Sequence, residues 1–320
     1  MEELLKSTQA YRLLEKECAE NTCSHAYLLL FNDSKNIRFA LKTFAKLFFF
    51  NENIRENERR DKLIDEESFS DCLFFPSDGK KLTVEDAEKI REESLLSPIE
   101  GKRKVFLLAD FAEANPQTQN KLLKLLEEPP KNVIFLLGAT TAFPVLTTVV
   151  SRTKRLEILP FSIEDVTTCL ARIYENRHTM DELKLCAAAS GGVVGEAQNM
   201  LEGGYYKTLL ENAFSLALSE EYRLPQMIKT IGETKYKKEF LALLRLIFRD
   251  ALLIKMNGHP YRKSLMLNSE KIKIQEVAMK YSLSALLYAQ EAISKAELEV
   301  QFNAIFSQCI EICMAKIRKK

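Results

Sequence analysis

Four short runs of almost wholly apolar residues constrain the fold of this chain more than any other feature. The runs are Tyr27 to Phe31, Cys72 to Phe75, Lys104 to Ala109 and Val133 to Ala139. Short runs without polar alternation are typical of strands that are buried on both faces, as in a parallel sheet that helices cover on each side. The sequence therefore predicts such a sheet in the first half of the chain.

Helix signals separate these runs. The segment from Ile37 to Phe50 carries apolar residues at helical spacing, and Thr83 can cap a helix that runs through Ser94. A third helix starts with Asn115 as its cap and Pro116 at its first position, and it stops at Pro129. Strands that alternate with helices predict a doubly wound α/β domain over residues 1–160.

The second half of the chain shows a different pattern. Ser162 can cap a helical segment, and Ser190-Gly191-Gly192 ends another, which outlines a small helical domain at 161–205. From residue 206 to 320 only helical periodicity is present. We therefore expect a fold of class α/β followed by all-α, with three domains at 1–160, 161–205 and 206–320.

Charge balance and cysteine pattern narrow the class of protein. The 46 Lys and Arg residues nearly cancel the 45 Asp and Glu, which leaves a net charge of +1. An autonomous nucleic-acid binder normally carries a basic excess, so this balance disfavours that class, although a local basic patch stays open. Seven scattered cysteines without a C-x-x-C pair indicate reduced thiols and a cytoplasmic location. The charged N-terminus lacks a signal-peptide core, and no apolar stretch reaches the roughly 20 residues of a membrane span, so we expect no membrane partner.

One motif carries a family resemblance. The segment Asn120 to Pro130, NKLLKLLEEPP, resembles the "NALLK-LEEPP" segment of bacterial clamp-loader subunits of the gamma, tau and delta-prime kind. A strand, the pair Thr140-Thr141 and the pair Ser151-Arg152 follow it at the family's spacing. The resemblance implies an AAA+ core, a helical lid and a helical collar. Independently of the resemblance, the four leucines of the motif are expected to pack in the core.

The resemblance also directs attention to a nucleotide loop. A P-loop needs glycines to let backbone N–H groups approach phosphates, a lysine for their charge and a hydroxyl for magnesium. Here the loop from Phe31 to Phe39, FNDSKNIRF, contains no glycine. Counting from His25, the family's Gly-Lys-Thr positions are taken by Asn36, Ile37 and Arg38. We expect no phosphate cradle and no bound cofactor, with Lys35 and Arg38 as solvated loop charges, although a weak nucleotide contact stays open.

Two further parts of an ATP site also depart from the family pattern. The strand that should end in two carboxylates ends in Ala109-Asp110, so the first carboxylate, which holds the metal's water shell, is missing. In the segment SGGVVGEA, Glu196 occupies the place of an arginine that would contact the nucleotide, and its charge would repel phosphate. Thr140 and Thr141 match a phosphate-sensing position but are explained equally well as hydroxyls at a strand end. The resemblance therefore implies a site that has lost its function.

Family members often carry a four-cysteine zinc module between the first helix and the next strand. In this chain the interval is the charged segment Asn51 to Asp71, which contains no cysteine and is expected to form a solvated insertion or linker. Cys309 and Cys313 share a helix face and are expected to be buried thiols. We expect no metal site.

The motif at Ser151-Arg152-Thr153 is similar to the family's Ser-Arg-Cys motif, with Thr in the third position. In the family this arginine reaches across a subunit interface to the neighbour's ATP. Arginine suits that role because its planar, permanently charged donor set stabilises charge that develops on the transferred phosphoryl group. The resemblance thus implies that Arg152 acts in trans with Ser151 in support. The alternative is that Arg152 is a surface arginine in a salt bridge, with Lys154 and Arg155 as neighbouring basic residues.

Three functional hypotheses follow. The leading one is a non-catalytic subunit of the delta-prime kind in the DNA polymerase III clamp loader, which assembles through its collar with gamma or tau and delta subunits and helps to load the sliding clamp on primed DNA. The second is a gamma-like ATPase with a degenerate but working P-loop. The third is a DNA-binding module outside replication, based on Lys102-Arg103-Lys104 and Arg318-Lys319-Lys320.

Overall fold

The structure is a computed structural model that describes residues 1–50, 54–77, 80–175, 177–257 and 265–320. The chain divides into two compact units, Met1–Pro160 and Phe161–Lys320. Among the described residues, no helix combines the length and the apolar character that a bilayer span requires.

A five-stranded parallel sheet forms the centre of the first unit. Its strands are β1 (Ala26–Phe31), β2 (Cys72–Phe75), β3 (Lys104–Leu108), β4 (Val133–Ala139) and β5 (Lys154–Ile158). Their order across the sheet is β2-β3-β4-β1-β5, and all neighbours pair in parallel. Every residue of β3 and β4 is buried, whereas the edge strand β5 keeps three of its five residues exposed. The α/β class predicted from the apolar runs is confirmed.

Seven α-helices accompany the sheet in the described part of the first unit. They are α1 (Glu2–Ser7), α2 (Gln9–Ala19), α3 (Ile37–Ala45), α4 (Ile54–Asp65), α5 (Val84–Ser94), α6 (Pro116–Glu127) and α7 (Thr147–Val150). The predicted starts of α5 and α6 are confirmed, since Thr83 forms a capping box and Asn115 accepts a hydrogen bond from the backbone N–H of Thr118. Three of the four motif leucines in α6 are buried, and the fourth, Leu123, packs against the core.

The charged segment after α3 differs from the sequence prediction. It was expected as a solvated insertion or linker, but residues 54–65 form helix α4. Most of its charged side chains face solvent, while Ile64 is buried and anchors the helix. Three apolar residues in twelve positions, Ile54, Leu63 and Ile64, give too little periodicity to distinguish a helix from a linker. Residues 51–53 of this segment lie outside the described residues.

A buried carboxylate fixes the loop that leads into β3. Asp71, directly before β2, is fully buried, and its oxygens accept hydrogen bonds from the backbone N–H groups of Ile99, Glu100 and Gly101 at 2.7, 2.8 and 2.6 Å. Three charge-assisted bonds from consecutive residues hold this loop in one conformation. Asp71 therefore connects the loop after α5 to the start of the sheet.

The described residues of the second unit contain helices and no strand, as predicted. The α-helices are α8 (Ile163–Tyr174), α9 (Met180–Ala189), α10 (Val194–Gly203), α11 (Tyr206–Leu218), α12 (Leu224–Gly232), α13 (Lys237–Asn257), α14 (Lys271–Lys280), α15 (Leu283–Gln301) and α16 (Phe306–Arg318). Ser162 caps α8 through the backbone N–H of Asp165. Cys309 and Cys313 are buried, as expected. The division of this unit into a lid at 161–205 and a collar at 206–320 remains a proposal.

Candidate functional site

A carboxylate fills the loop where the resemblance places a phosphate cradle. Asp33, which is buried, lies between β1 and α3. Its carboxylate accepts hydrogen bonds from the backbone N–H of Asn36 at 3.1 Å and from the Asn36 side-chain amide at 2.8 Å. No residue from 32 to 36 has a positive φ, so the loop lacks the αR-αL alternation of an anion-binding nest. The negative charge at the start of α3 is thus supplied by the chain itself.

Ile37, which takes the position of the phosphate-binding lysine in the resemblance, is packed in the core. Ile37 is fully buried at the first turn of α3. A Cβ added to Gly138 of β4 would lie 3.1 Å from Ile37 Cγ1 and 2.9 Å from Leu41 Cδ1. This close approach of α3 to β4 depends on the absence of a side chain at Gly138, so α3 and β4 pack with no room between them. The Ile37 position cannot present a charge to a phosphate without rearrangement of that packing.

Arg38 was expected as a solvated loop charge, which is wrong, because it lies in α3 and is held by groups of its own unit. Its Nη1 donates to the carbonyl oxygen of Pro76 at 2.9 Å, and its Nη2 donates to both carboxylate oxygens of Glu67 at 2.9 and 3.1 Å. The guanidinium carbon lies 3.9 Å from the ring centroid of Phe74. Lys42 also pairs with Glu67, at 2.8 Å. These contacts give Arg38 a structural role in joining α3 to the segment around β2.

The ion pairs that Glu67 forms with Arg38 and Lys42 predict a pH-dependent contribution to the stability of the fold. Burial raises the pKa of Glu67, but the hydrogen bonds from Lys42 and Arg38 outweigh burial and hold its pKa below the usual 4.5. A lowered folded-state pKa stabilises the fold above pH 4.5, and this stabilisation is lost as the pH falls through the folded-state value. Because Glu67 is partly exposed, we expect Glu67→Gln to lose about 1 kcal/mol or less at pH 7. Chemical denaturation of both proteins should show this difference shrinking below pH 4.5; a difference that does not change with pH would contradict the assignment.

The carboxyl end of β3 holds one carboxylate. Ala109 is fully buried, and its N–H donates to the carbonyl oxygen of Phe75 at 2.8 Å. Asp110 follows in the left-handed region with φ 48°, and its side chain accepts no capping hydrogen bond from the short turn after it. Burial raises the pKa of Asp110, Glu113 raises it further, and Arg38 opposes them. A single carboxylate with a raised pKa is a poor substitute for an acidic pair, of which one member holds the magnesium ion's water shell and the other polarises the attacking water.

Glu196 lies in the first turn of α10 in the second unit. Its carboxylate forms an ion pair with Lys238 Nζ at 2.7 Å on an exposed surface. The place of the family's nucleotide-contacting arginine thus carries a neutralised acidic side chain.

At the end of β4, Thr141 Oγ1 accepts a hydrogen bond from the N–H of Phe143 at 3.4 Å, and Thr140 is partly buried. These threonine positions show no arrangement that distinguishes phosphate sensing from a strand end.

The Ser151-Arg152 motif forms a compact polar cluster after α7. Arg152 Nη1 donates to the carbonyl oxygen of Thr148 at 2.8 Å and to Ser151 Oγ at 3.3 Å. Ser151 Oγ in turn donates to the same carbonyl at 3.1 Å. Arg152 Nη2 forms an ion pair with Glu127, the last residue of α6, and the arginine side chain keeps one third of its surface exposed. The guanidinium is therefore held in place and still reachable from solvent.

Glu127 is the site residue that sequence reasoning missed. It belongs to the NKLLKLLEEPP segment that carried the resemblance, so the signal was present, but its contact with Arg152 depends on the fold. The expected basic neighbours of Arg152 do not share its partner. Lys154 pairs with Glu17 of α2, and Arg155 is exposed. The salt bridge of the surface-arginine alternative is present, and a surface contact of this kind is compatible with either role.

The second unit contains a cleft that lies apart from these residues. An open cleft of about 820 Å³ lies in the second unit beside Tyr222, Arg223 and Met227, and its lining includes none of the site residues named above. Within the described ranges, no group of three or more His, Cys, Asp or Glu residues is arranged to hold a metal ion. The expectation of no metal site remains a prediction.

Comparison with known proteins gives one family and several relatives. The family model described as "DNA polymerase III, delta subunit" matches residues 6–162, just under half of the chain. The delta' subunit of DNA polymerase III from Bacillus subtilis is 23% identical over 301 residues, which cover 90% of this chain and 87% of that protein.

Subunits of two other kinds match as well. The gamma subunit from Buchnera aphidicola is 21% identical over 67% of this chain and 56% of its own length. The tau subunit from Escherichia coli is 26% identical over 63% of this chain and 33% of its own length. The chain thus spans between a third and just over half of these two relatives. The match to delta' is the longest of the three comparisons.

Proposed function

We propose that this chain is a non-catalytic clamp-loader subunit of bacterial DNA polymerase III, of the delta-prime type, because the family model and the long match to a delta' subunit both support that kind of protein. In this proposal it assembles with gamma or tau and delta subunits, and it helps the complex to load the sliding clamp on primed DNA. The observation that carries the proposal is an asymmetry. The loop that would bind nucleotide in this chain contains the buried carboxylate of Asp33, which accepts hydrogen bonds from Asn36. In contrast, the Arg152 guanidinium is fixed by its ion pair and remains accessible to solvent.

Electrostatics argue against ATP in the chain's own loop. A bound triphosphate would bring several negative charges beside the buried carboxylate of Asp33, with no lysine at Ile37 to balance them. Arg38, one position after Ile37, would have to leave Glu67 and Pro76 to reach a phosphate. Each broken charge-assisted bond costs roughly 1.5–3 kcal/mol before any phosphate contact is gained.

Arg152 has the features that an arginine finger needs. Its Nη1 bonds to Thr148 and Ser151 fix the guanidinium, and Glu127 neutralises it in the isolated chain. In the proposed complex, the neighbour's ATP takes the place of Glu127 as the anionic partner. Fixed donors stabilise developing charge without reorganisation at the moment of reaction. Arg152 is thus the proposed catalytic residue in trans, Ser151 is a positioning residue, and Glu127 is the partner of Arg152 in the isolated chain only.

The alternative is a gamma-like ATPase with a degenerate P-loop, and the matches to gamma and tau subunits support it. It requires the loop around Asp33 to bind ATP in this chain.

The third hypothesis, a DNA-binding module, is weakened by the contacts of its basic stretches. Lys104 is buried and paired with Glu93, and Arg318 donates to the carbonyl oxygen of Ser219 at 2.8 Å.

An ATP-binding assay on the isolated chain separates the first two hypotheses. We expect neither steady phosphate release nor saturable binding of a fluorescent ATP analogue at micromolar concentration, because the loop carries the buried carboxylate of Asp33 and Ile37 replaces the lysine. A gamma or tau subunit measured in parallel is the positive control. Hydrolysis by the purified chain that disappears in Asp110→Asn would defeat the non-catalytic proposal and favour the gamma-like ATPase.

A further inference from the structure

Helix α2 ends in a turn that brings two cysteines together. The N–H of Thr22 donates to the carbonyl oxygen of Glu17 at 2.9 Å, and the N–H of Asn21 donates to that of Cys18 at 3.3 Å. Asn21 has φ 54°, the left-handed conformation that this helix ending requires. The chain is thereby folded back so that Cys23 meets the last turn of α2. Its sulfur lies 3.4 Å from the sulfur of Cys18.

The backbone on both sides of Cys23 is fixed. Thr22 is held by Glu17, as described, and the N–H of Ser24 donates to the hydroxyl oxygen of Tyr27 at 2.7 Å. That hydroxyl donates in turn to the buried carboxylate of Glu17 at 2.7 Å. The contact between the two sulfurs therefore belongs to an ordered turn. In a disulfide the sulfurs lie about 2.05 Å apart, so bond formation needs only a small approach of two side chains.

The two thiols differ in their electrostatic surroundings. The hydrogen bond from Cys18 lowers the pKa of Cys23, and Arg103 lowers it further. The same contact and burial raise the pKa of Cys18. Glu17 and Tyr27 are the other titratable groups beside the pair, and both are hydrogen-bonded to each other. These surroundings favour the thiolate form at Cys23 over the thiolate form at Cys18.

The other cysteines have no such surroundings. All seven are free, and the five others, Cys72, Cys169, Cys186, Cys309 and Cys313, are buried, whereas Cys18 and Cys23 are partly accessible. Burial also raises the pKa of Cys72, which suppresses its thiolate. Oxidation depends on thiolate character and access. An oxidant in solution should therefore reach and react with the Cys18 and Cys23 pair first.

We propose that Cys18 and Cys23 form a peroxide-sensitive dithiol, a site at which a hydroperoxide oxidises the pair to a reversible intramolecular disulfide. The Cys23 thiolate attacks the terminal peroxide oxygen, the O–O bond breaks, and the leaving alkoxide or hydroxide takes up a proton. Cys23 is then a sulfenic acid. The sulfur of Cys18 attacks the Cys23 sulfur, the S–S bond forms, and the hydroxyl group leaves as water with the Cys18 proton. The two sulfurs together lose two electrons, which the peroxide has accepted. This inference is independent of the proposed function.

The test uses the full, reduced chain and hydrogen peroxide in slight excess at pH 7, followed by alkylation and tryptic mass analysis. Both cysteines fall in one tryptic peptide, from Glu17 to Lys35. We expect this peptide to lose two hydrogens, to regain them with dithiothreitol, and to react before the buried cysteines. Cys18→Ser should leave a sulfenic acid on Cys23 that dimedone traps, and Cys23→Ser should remove the rapid reaction. Arg103→Met should slow it several-fold.

Two outcomes would overturn the proposal. One is oxidation of this peptide no faster than that of the peptide containing Cys309 and Cys313, which serves as the internal reference. The other is an unchanged rate of oxidation at Cys18 in the Cys23→Ser protein. Both readouts are mass measurements on a folded chain, and circular dichroism of each variant establishes that it is folded.

Discussion

Replacement of Arg152 by alanine is expected to remove most ATP hydrolysis at the neighbouring subunit's site in a reconstituted clamp loader, and clamp loading with it. Loss of an arginine finger lowers phosphoryl transfer by roughly 10³ or more. The isolated variant should fold normally, because the Arg152 side chain is partly exposed and is held at the surface by Glu127, Thr148 and Ser151. Lysine at this position should rescue poorly, since a point charge cannot reproduce the planar donor set.

The controls for this experiment come from the same part of the chain. Arg155→Ala removes an exposed positive charge three positions away, and hydrolysis should stay near the wild-type rate. Glu127→Gln removes the partner of Arg152 and leaves the guanidinium in place, so it should retain most of the activity that Arg152→Ala loses. Gel filtration must first establish that each complex is complete, because a disrupted assembly loses activity trivially. Wild-type hydrolysis and loading by a complete Arg152→Ala complex would leave Arg152 a surface arginine.

Replacement of Asp71 by alanine is expected to cause the largest loss of stability among the side chains considered. The carboxylate accepts three backbone N–H groups while fully buried. Its removal leaves those donors without their acceptor, and each hydrogen bond to a charged group is worth roughly 1.5–3 kcal/mol, with partial compensation by water. We expect a loss of about 3 kcal/mol or more in the free energy of unfolding of the first unit. Asp71→Asn should be intermediate, because its amide oxygen can still accept one or two of the bonds.

Chemical denaturation checks this expectation, and amide hydrogen exchange at Ile99, Glu100 and Gly101 localises it. Glu92→Ala is the matched control, because Glu92 is an exposed acid on the helix before this loop. Its effect should stay within about 0.5 kcal/mol. If Asp71→Ala unfolds at the same denaturant concentration as the wild-type chain, the buried carboxylate does not anchor the loop.

The sheet was largely predictable because burial on both faces leaves a direct mark on the sequence. Strands β3 and β4 are buried at every position, and their apolar runs identified them. The edge strand β5, KRLEI, exposes three of its residues and produces a weaker signal. Helix α4 was not predicted as a helix, since its charged side chains mostly face solvent and, among its side chains from residue 55 to 65, Ile64 alone is buried. An apolar run thus predicts a strand or helix where burial is complete, and this signal weakens in elements that lie at the surface.

The sequence predicted which residues of a nucleotide site are missing, but it did not predict the contacts of the residues that remain. The absence of glycine between Phe31 and Phe39 is legible in the sequence. The occupation of that loop by Asp33 is not, because it depends on backbone geometry. The pairing of Arg38 with Glu67 and of Arg152 with Glu127 joins residues that are far apart in sequence and meet only in the fold. The trans role of Arg152 stays a prediction.

We propose that this chain completes a neighbour's ATP site and has none of its own. The most direct test is a structure of the reconstituted loader with ADP and aluminium fluoride, which mimics the transferred phosphoryl group. The account predicts the Arg152 guanidinium within about 3 Å of the fluoride bound to the adjoining subunit, and no nucleotide at the loop around Asp33. Nucleotide in this chain's own loop, with Arg152 still paired to Glu127, would contradict it.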